Sequence, residues 1–200
     1  PSWPRLFGMD FGRGGVNHPT AATWLAFDLE SGPSGDKWKH VKVYEYDEYK
    51  SAALEPSVHA AAIKRRGVWI PGAWPHDGHR KEVYATEGVA KGYRDLDLRL
   101  LPEHATNDDG SRDMATGLFQ IYNLMLEGRW KTFRTLIDTA GEQRNYHYGE
   151  DNKVVDRNDD LMSSRRYAWM CRQRAIPADR EERDARPAFA TGLDYDPREA

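Results

Sequence analysis

The sequence predicts an α/β fold: a mixed sheet of three antiparallel strands plus parallel strands, flanked by helices. Three observations carry this. Three strand-like stretches joined by turns fill the chain as far as Tyr46. Beyond Glu55 the apolar spacing turns helical, and helical stretches alternate with short strand-like ones, the pattern of crossovers that build parallel sheets. Finally, 39% hydrophobic residues, with 12% aromatic, suffice to cover a sheet with helices.

Arg5–Phe11 (RLFGMDF) reads as a buried opening strand, and Thr20–Leu29 (TAATWLAFDL) as a second, mostly apolar one. Ser31–Asp36 (SGPSGD) has the Gly, Pro, Ser and Asp content of a turn. Val41–Tyr46 alternates apolar and polar residues and is the third strand of a meander. Glu55-Pro56-Ser57 then starts a helix through VHAAAIKRR that stops at Gly67. Gly72–His76 reads as a short strand, Glu82–Tyr93 as a helix weakened by two glycines, and Asp97–Leu101 as a strand ended by Pro102. Ser111 is the expected N-cap of a helix over Arg112–Glu127 closed by Gly128, with Met114, Leu118, Ile121, Tyr122 and Met125 as its apolar stripe. Trp130–Phe133 suggests a strand, Leu136–Tyr146 a helix, and Tyr148–Val155 a hairpin. The last helix spans Asp159 to Arg174, and its stripe of Leu161, Ser164, Ala168, Cys171 and Ala175 is small enough to pack closely on a sheet. The expected order places an antiparallel edge beside a parallel remainder. Residues 1–176 form the domain, and 177–200 form a charged, mobile tail.

Composition narrows the function. The net charge of −3 excludes a globally basic nucleic-acid binder but leaves room for a local basic groove. The single cysteine, Cys171, excludes an internal disulfide and a multi-cysteine zinc site and points to a reducing compartment. No apolar run approaches the roughly 20 residues of a membrane span, and no signal peptide opens the chain. A start at Pro1 rather than Met is expected of a piece of a longer protein.

Acidic residues stand at the ends of three predicted elements. Asp10 lies within the first strand, in GMDFG, where a carboxylate is costly unless paired or metal-bound. Asp77 follows a strand in WPHDG, where taken alone it reads first as an Asx-turn residue. Asp159 and Asp160 open the last helix, where either taken alone reads first as an N-cap. Together they suit a hard cation such as Mg²⁺ or Mn²⁺ rather than zinc, and two such ions support phosphodiester hydrolysis.

MDFG, HPTAATWLAFD, VYEYDEYK, HAAAIKRRG, IPGAWPHDG, LLPEHATNDDGS and NDDLMSSRRYA together resemble the nuclease domain of tailed-phage terminase large subunits, from about Leu6 to Met170. The resemblance implies a ribonuclease H-like fold and a metal-dependent endonuclease that cuts concatemeric viral DNA during packaging. It implies two Mg²⁺ or Mn²⁺ ions, with Asp10 bridging both and Asp77 and Asp160 each holding one; Asp159 is the alternative ligand or a supporting residue. The implied partners are double-stranded DNA, an N-terminal ATPase motor domain, the portal protein and the terminase small subunit. The implied location is the host cytoplasm during assembly, with no membrane association. No Walker A signature is present, so this chain alone is not expected to hydrolyse ATP.

Arg13, His76, His79, Lys81, Arg165 and Arg166 are the expected DNA contacts, the two helical arginines because they share an element with Asp160. Each also has an ordinary structural reading, as turn, solvated face or core. Three other functions compete. An actin-like ATPase matches Gly8-x-Asp10-x-Gly12 but needs two lobes. A junction resolvase shares the metal chemistry. A non-catalytic portal-docking module has no use for three separated acids.

Overall fold

The computed structural model describes residues 2–13, 16–29, 36–79, 88–147, 149 and 158–178. Among the described residues, five strands and five helices follow in the order β1 (Arg5–Asp10), β2 (Thr20–Asp28), β3 (Lys42–Ser51), α1 (Pro56–Lys64), β4 (Gly72–Ala73), α2 (Val89–Asp95), α3 (Met114–Leu126), β5 (Trp130–Thr132), α4 (Ile137–Asn145) and α5 (Asp160–Met170). Short 3-10 turns occupy Lys37–His40, His76–His79 and Arg172–Arg174.

The strands form one sheet in the order β4-β1-β2-β3-β5. β1, β2 and β3 are antiparallel, while β4 runs parallel to β1 and β5 parallel to β3. The antiparallel meander is therefore the centre of the sheet with a parallel strand on either side, rather than an edge. β1–β3 follow one another in sequence and lie side by side, and the later strands are delivered by helical crossovers to the two flanks.

Alternation along β1 and β2 sends side chains to two cores. Phe7, Met9 and Trp24 face α1 and α2, with Ile63, Trp74 and Tyr93. Leu6, Leu25 and Phe27 face α3 and α5, with Ile121, Leu124 and Trp169. β3 carries a bulge: Leu25 pairs with Glu45 but Trp24 pairs with Asp47, which leaves Tyr46 extra. One extra residue inverts the facing of everything after it. Glu48 and Lys50 consequently point to the α4/α5 face, while Asp47 and Tyr49 reach Arg66 and His59 of the α1 side.

α5 lies on β1 and β2 with no side chain between at its crossing point. A Cβ built on Gly8 would stand 1.9 Å from the Ser164 carbonyl oxygen and 2.7 Å from the Ala168 nitrogen. Beside it, the hydroxyls of Thr23 and Ser164 bond at 2.7 Å inside the protein. The small-residue stripe expected of this helix thus does what its composition suggested, except that the helix ends at Met170 and a 3-10 turn carries the chain to Arg174.

Other expectations are corrected. Asp97–Leu101 is no strand: it contributes one isolated bridge, Gly72 with Leu100. Asp113, not Ser111, caps α3, its carboxylate accepting from Thr116 N at 2.8 Å. The buried face of α3 is Gly117, Ile121 and Leu124, because Arg166 fills the space over Gly117; Met114 and Tyr122 of the expected stripe are exposed. Gly128 closes the helix in the left-handed conformation, φ +66°, as its position suggested. The hairpin at Tyr148–Val155, apart from residue 149, lies outside the described residues, as do most of the 31–36 turn, the first half of the Glu82–Tyr93 helix, and the tail beyond Ala178.

Substituting Gly8→Ala is expected to destabilise the domain by about 3 kcal/mol or more, at or above the upper end of ordinary overpacking, because the obstruction is helix backbone. Urea unfolding measures it; a loss under about 1 kcal/mol would mean that α5 moves away freely.

Candidate active site

Three elements bring the acids to one end of the sheet. Asp10 is the last residue of β1, where the chain leaves the sheet. Asp77 lies in the 3-10 turn His76–His79, which follows β4, the parallel neighbour of β1. Asp160 is the first residue of α5 and Asp159 its N-cap, without a capping side-chain bond. Asp77 is exposed, while Asp10, Asp159 and Asp160 are half-buried.

Electrostatics report their proximity. Asp10 is pushed up to about 8, first by loss of solvent and then by the charges of Asp77, Asp160 and Asp159, with Arg166 pulling the other way. A carboxyl so placed holds its proton at neutral pH unless a cation replaces it. Among the described residues, no group of three or more His, Cys, Asp or Glu side chains is arranged to hold a metal ion as it stands. The acids are gathered within electrostatic reach, and oxygen donors in such a cluster fit a hard divalent ion.

The N-terminus of α5 is held by residues the sequence reading did not single out. Glu142 of α4 accepts from Leu161 N at 2.8 Å and Met162 N at 3.2 Å, taking two of the free amides of the first turn. Lys50 bridges Glu142 Oε1 at 2.6 Å and Asp160 Oδ2 at 3.0 Å. Glu48 does the same service for α4, accepting from Thr139 N at 2.8 Å. The one available signal was a run of charges late in a strand whose alternation puts some of them inward.

The expected DNA contacts divide. Arg13 is exposed on the loop after β1. His76 and His79 are exposed and cluster with His104 and Trp74; the ring centres of His76 and His104 are 4.7 Å apart. Burial and its two histidine neighbours lower the pKa of His104. Lys81 lies outside the described residues. Arg165 and Arg166 do not face solvent: they are 3% and 5% exposed. Arg165 pairs with the fully buried Glu45 at 3.1 Å, and Arg166 packs on Tyr167 and Gly117. Sharing a helix with Asp160 put them on its inner faces. Arg66 and Arg129 are likewise occupied, by Asp47 and by Glu127 with backbone carbonyls.

No family model matches the chain. The nuclease domain of the phage P22 large terminase superposes with a TM-score of 0.76 at 33% identity, covering 92% of this chain and 86% of that one. The chain belongs to the large-terminase nuclease family. The terminase large subunit of Enterobacteria phage LP7 is 36% identical over 160 residues, which is 80% of this chain and 32% of that protein; the chain thus spans about a third of the length of the curated relatives it matches. A nuclease domain from the bacteriophage SPP1 large terminase, solved with bound Mn, shares the fold with a TM-score of 0.56 at 14% identity, covering 83% of this chain and 85% of its own. The ribonuclease H-like mixed sheet expected of a terminase nuclease is the sheet observed. Among the described residues no helix is long and apolar enough to cross a membrane.

The raised Asp10 has a measurable consequence. Its folded pKa lies above its unfolded one, so the folded state holds a proton that the unfolded state releases, and stability falls as pH rises from about 4 to about 8. Asp10→Asn removes this dependence. In EDTA, the melting-temperature gain of Asp10→Asn over the parent chain is expected to grow across that window and level off above it. A gain that is constant with pH would contradict the reading.

Proposed function

We propose that this terminase nuclease domain is a metal-dependent DNA endonuclease that cuts concatemeric viral DNA during packaging. The observation that carries the proposal is the placement of Asp10 at the end of β1 within electrostatic reach of Asp77, Asp160 and Asp159: loss of solvent first, and then their charges, push its carboxyl up to about 8. Holding four carboxyl groups near one another costs free energy, which a bound cation would offset.

Asp10, Asp77 and Asp160 are the residues that would hold two Mg²⁺ or Mn²⁺ ions, with Asp159 beside them as a supporting or alternative ligand. The bound ions would supply an acidified water as nucleophile and positive charge for the leaving oxygen. Asp10, whose pKa the other acids raise, would give up its proton when a cation is held there. The loop carrying Arg13 and the turn carrying His76 and His79 border the acids and are exposed, which suits them to phosphate contacts. Arg165 and Arg166 serve the fold that carries Asp160 instead. A covalent protein–DNA intermediate has no support at Cys171, whose thiol burial pushes up to about 11.

The length of the relatives beyond this chain supports the companion proposals: an ATPase motor domain N-terminal to the nuclease, and portal and small-subunit partners for the whole assembly in the host cytoplasm. They leave the chemistry of the acids unchanged.

Digestion of supercoiled plasmid with Mg²⁺ or Mn²⁺ tests the reaction. Nicking is expected with metal and not with EDTA. Asp10→Ala, Asp77→Ala and Asp160→Ala should each lower the rate by a hundredfold or more, and Asp159→Ala by less. Cleavage unaffected by Asp10→Ala would remove the proposal. Preference for a four-way junction over plasmid would instead favour a resolvase of the same fold.

A further inference from the structure

Lys50 is placed by two independent features of the fold. Cross-strand register aligns Asp10 with Ala21 and Ala21 with Lys50, so Asp10 and Lys50 occupy one row, two strands apart, about 9–10 Å by ordinary strand spacing. Between them, over Ala21, sits the first turn of α5 with Leu161 and Met162. Lys50 points to this face only because of the bulge at Tyr46; in an unbroken β3, Tyr49 would take its place and Lys50 would face α1. Bulges beside sites commonly re-aim a side chain in this way.

Its contacts are specific. The ammonium lies 2.6 Å from Glu142 and 3.0 Å from Asp160, with the side chain only 22% exposed. Both of its ion-pair partners are carboxylates, so the ammonium sits where its ordinary positive charge is favoured. Glu142 is anchored in turn by the α5 amides. The ammonium is therefore fixed at the inner margin of the acid cluster, and one of its two partners is the helix acid assigned to the metal.

We propose that Lys50 is a positioning residue that acts as a built-in counter-ion: it holds Asp160 at the cluster before a divalent ion arrives and shares that carboxylate with the ion afterwards. The inference rests on the metal-site reading. Its consequence is a tuned affinity. A fixed ammonium beside the ligand opposes the incoming cation, so the site binds metal more weakly than its carboxylates alone would, and stays assembled when empty.

The test compares the parent chain with Lys50→Met, Lys50→Gln and Lys50→Arg by Mn²⁺ titration calorimetry and by melting in EDTA. Both neutral variants are expected to bind Mn²⁺ about tenfold more tightly and to melt lower without metal; Lys50→Gln keeps a donor for Glu142 and separates charge from packing. Lys50→Arg should restore both values toward the parent. Unchanged or weaker Mn²⁺ binding in the neutral variants would overturn the proposal, while the metal site would stand if Asp10→Asn still abolished binding. If the parent chain took up no Mn²⁺ at all, the metal-site reading would fall and the Lys50 proposal with it.

Discussion

The backbone-to-backbone contact between α5 and β1 is the constraint on which the rest of the structure depends. Gly8 has no side chain, and the carbonyl of Ser164 occupies the space one would need. The Thr23–Ser164 hydroxyl pair locks the helix against β2 at the same level. With the helix so fixed in height and direction, its first residue, Asp160, is delivered to the end of the strand that Asp10 terminates. A helix raised by the thickness of a side chain would carry Asp160 away from Asp10, and the electrostatic coupling between them would weaken with distance.

Two layers of support follow from that contact. Inside, Arg165 and Glu45 form a buried pair, and Trp130 and Thr132 donate to the second Glu45 oxygen at 3.1 and 2.8 Å. Such a pair gains little net stability, yet losing one partner would leave a charge stranded; it ties α5 to β3 and β5. Outside, Glu142 and Lys50 finish the first turn of α5 next to the acids. The arginines of this helix pack inward, Arg165 on Glu45 and Arg166 on Tyr167 and Gly117, so the proposed DNA contacts fall to the loops bearing Arg13, His76 and His79.

Much of this was legible in the sequence where the cause is local. β1, β2, α1 and α5 have strong periodic patterns and clear start or stop residues, and Asp10 stands out because aspartate is costly within a buried strand. The short parallel strand β4 was legible as the start of the Gly72–His76 strand, but only Gly72–Ala73 pairs before the chain turns at His76–His79. The parts that escaped have causes remote in sequence. Lys50 meets Glu142 and Asp160 only after a bulge has inverted the last part of β3, and the alternation of VYEYDEYK gives no warning of the extra residue at Tyr46. Arg165 and Arg166 read as surface charge because their neighbours Glu45 and Gly117 lie on other elements. The α3 stripe was misplaced by a fraction of a turn, since Arg166 rather than an apolar residue fills the gap over Gly117. Leu98 and Leu100 are buried, so the 97–101 segment had the apolar content of a strand without a partner long enough to pair with.

The central claim is that Asp10, Asp77 and Asp160 form one divalent-cation site. Crystals soaked in Mn²⁺, with anomalous scattering recorded at the manganese edge, test it most directly. The account expects anomalous density bounded by these three carboxylates, lost in Asp10→Asn. Density elsewhere on the surface, or none at a millimolar soak, would contradict it.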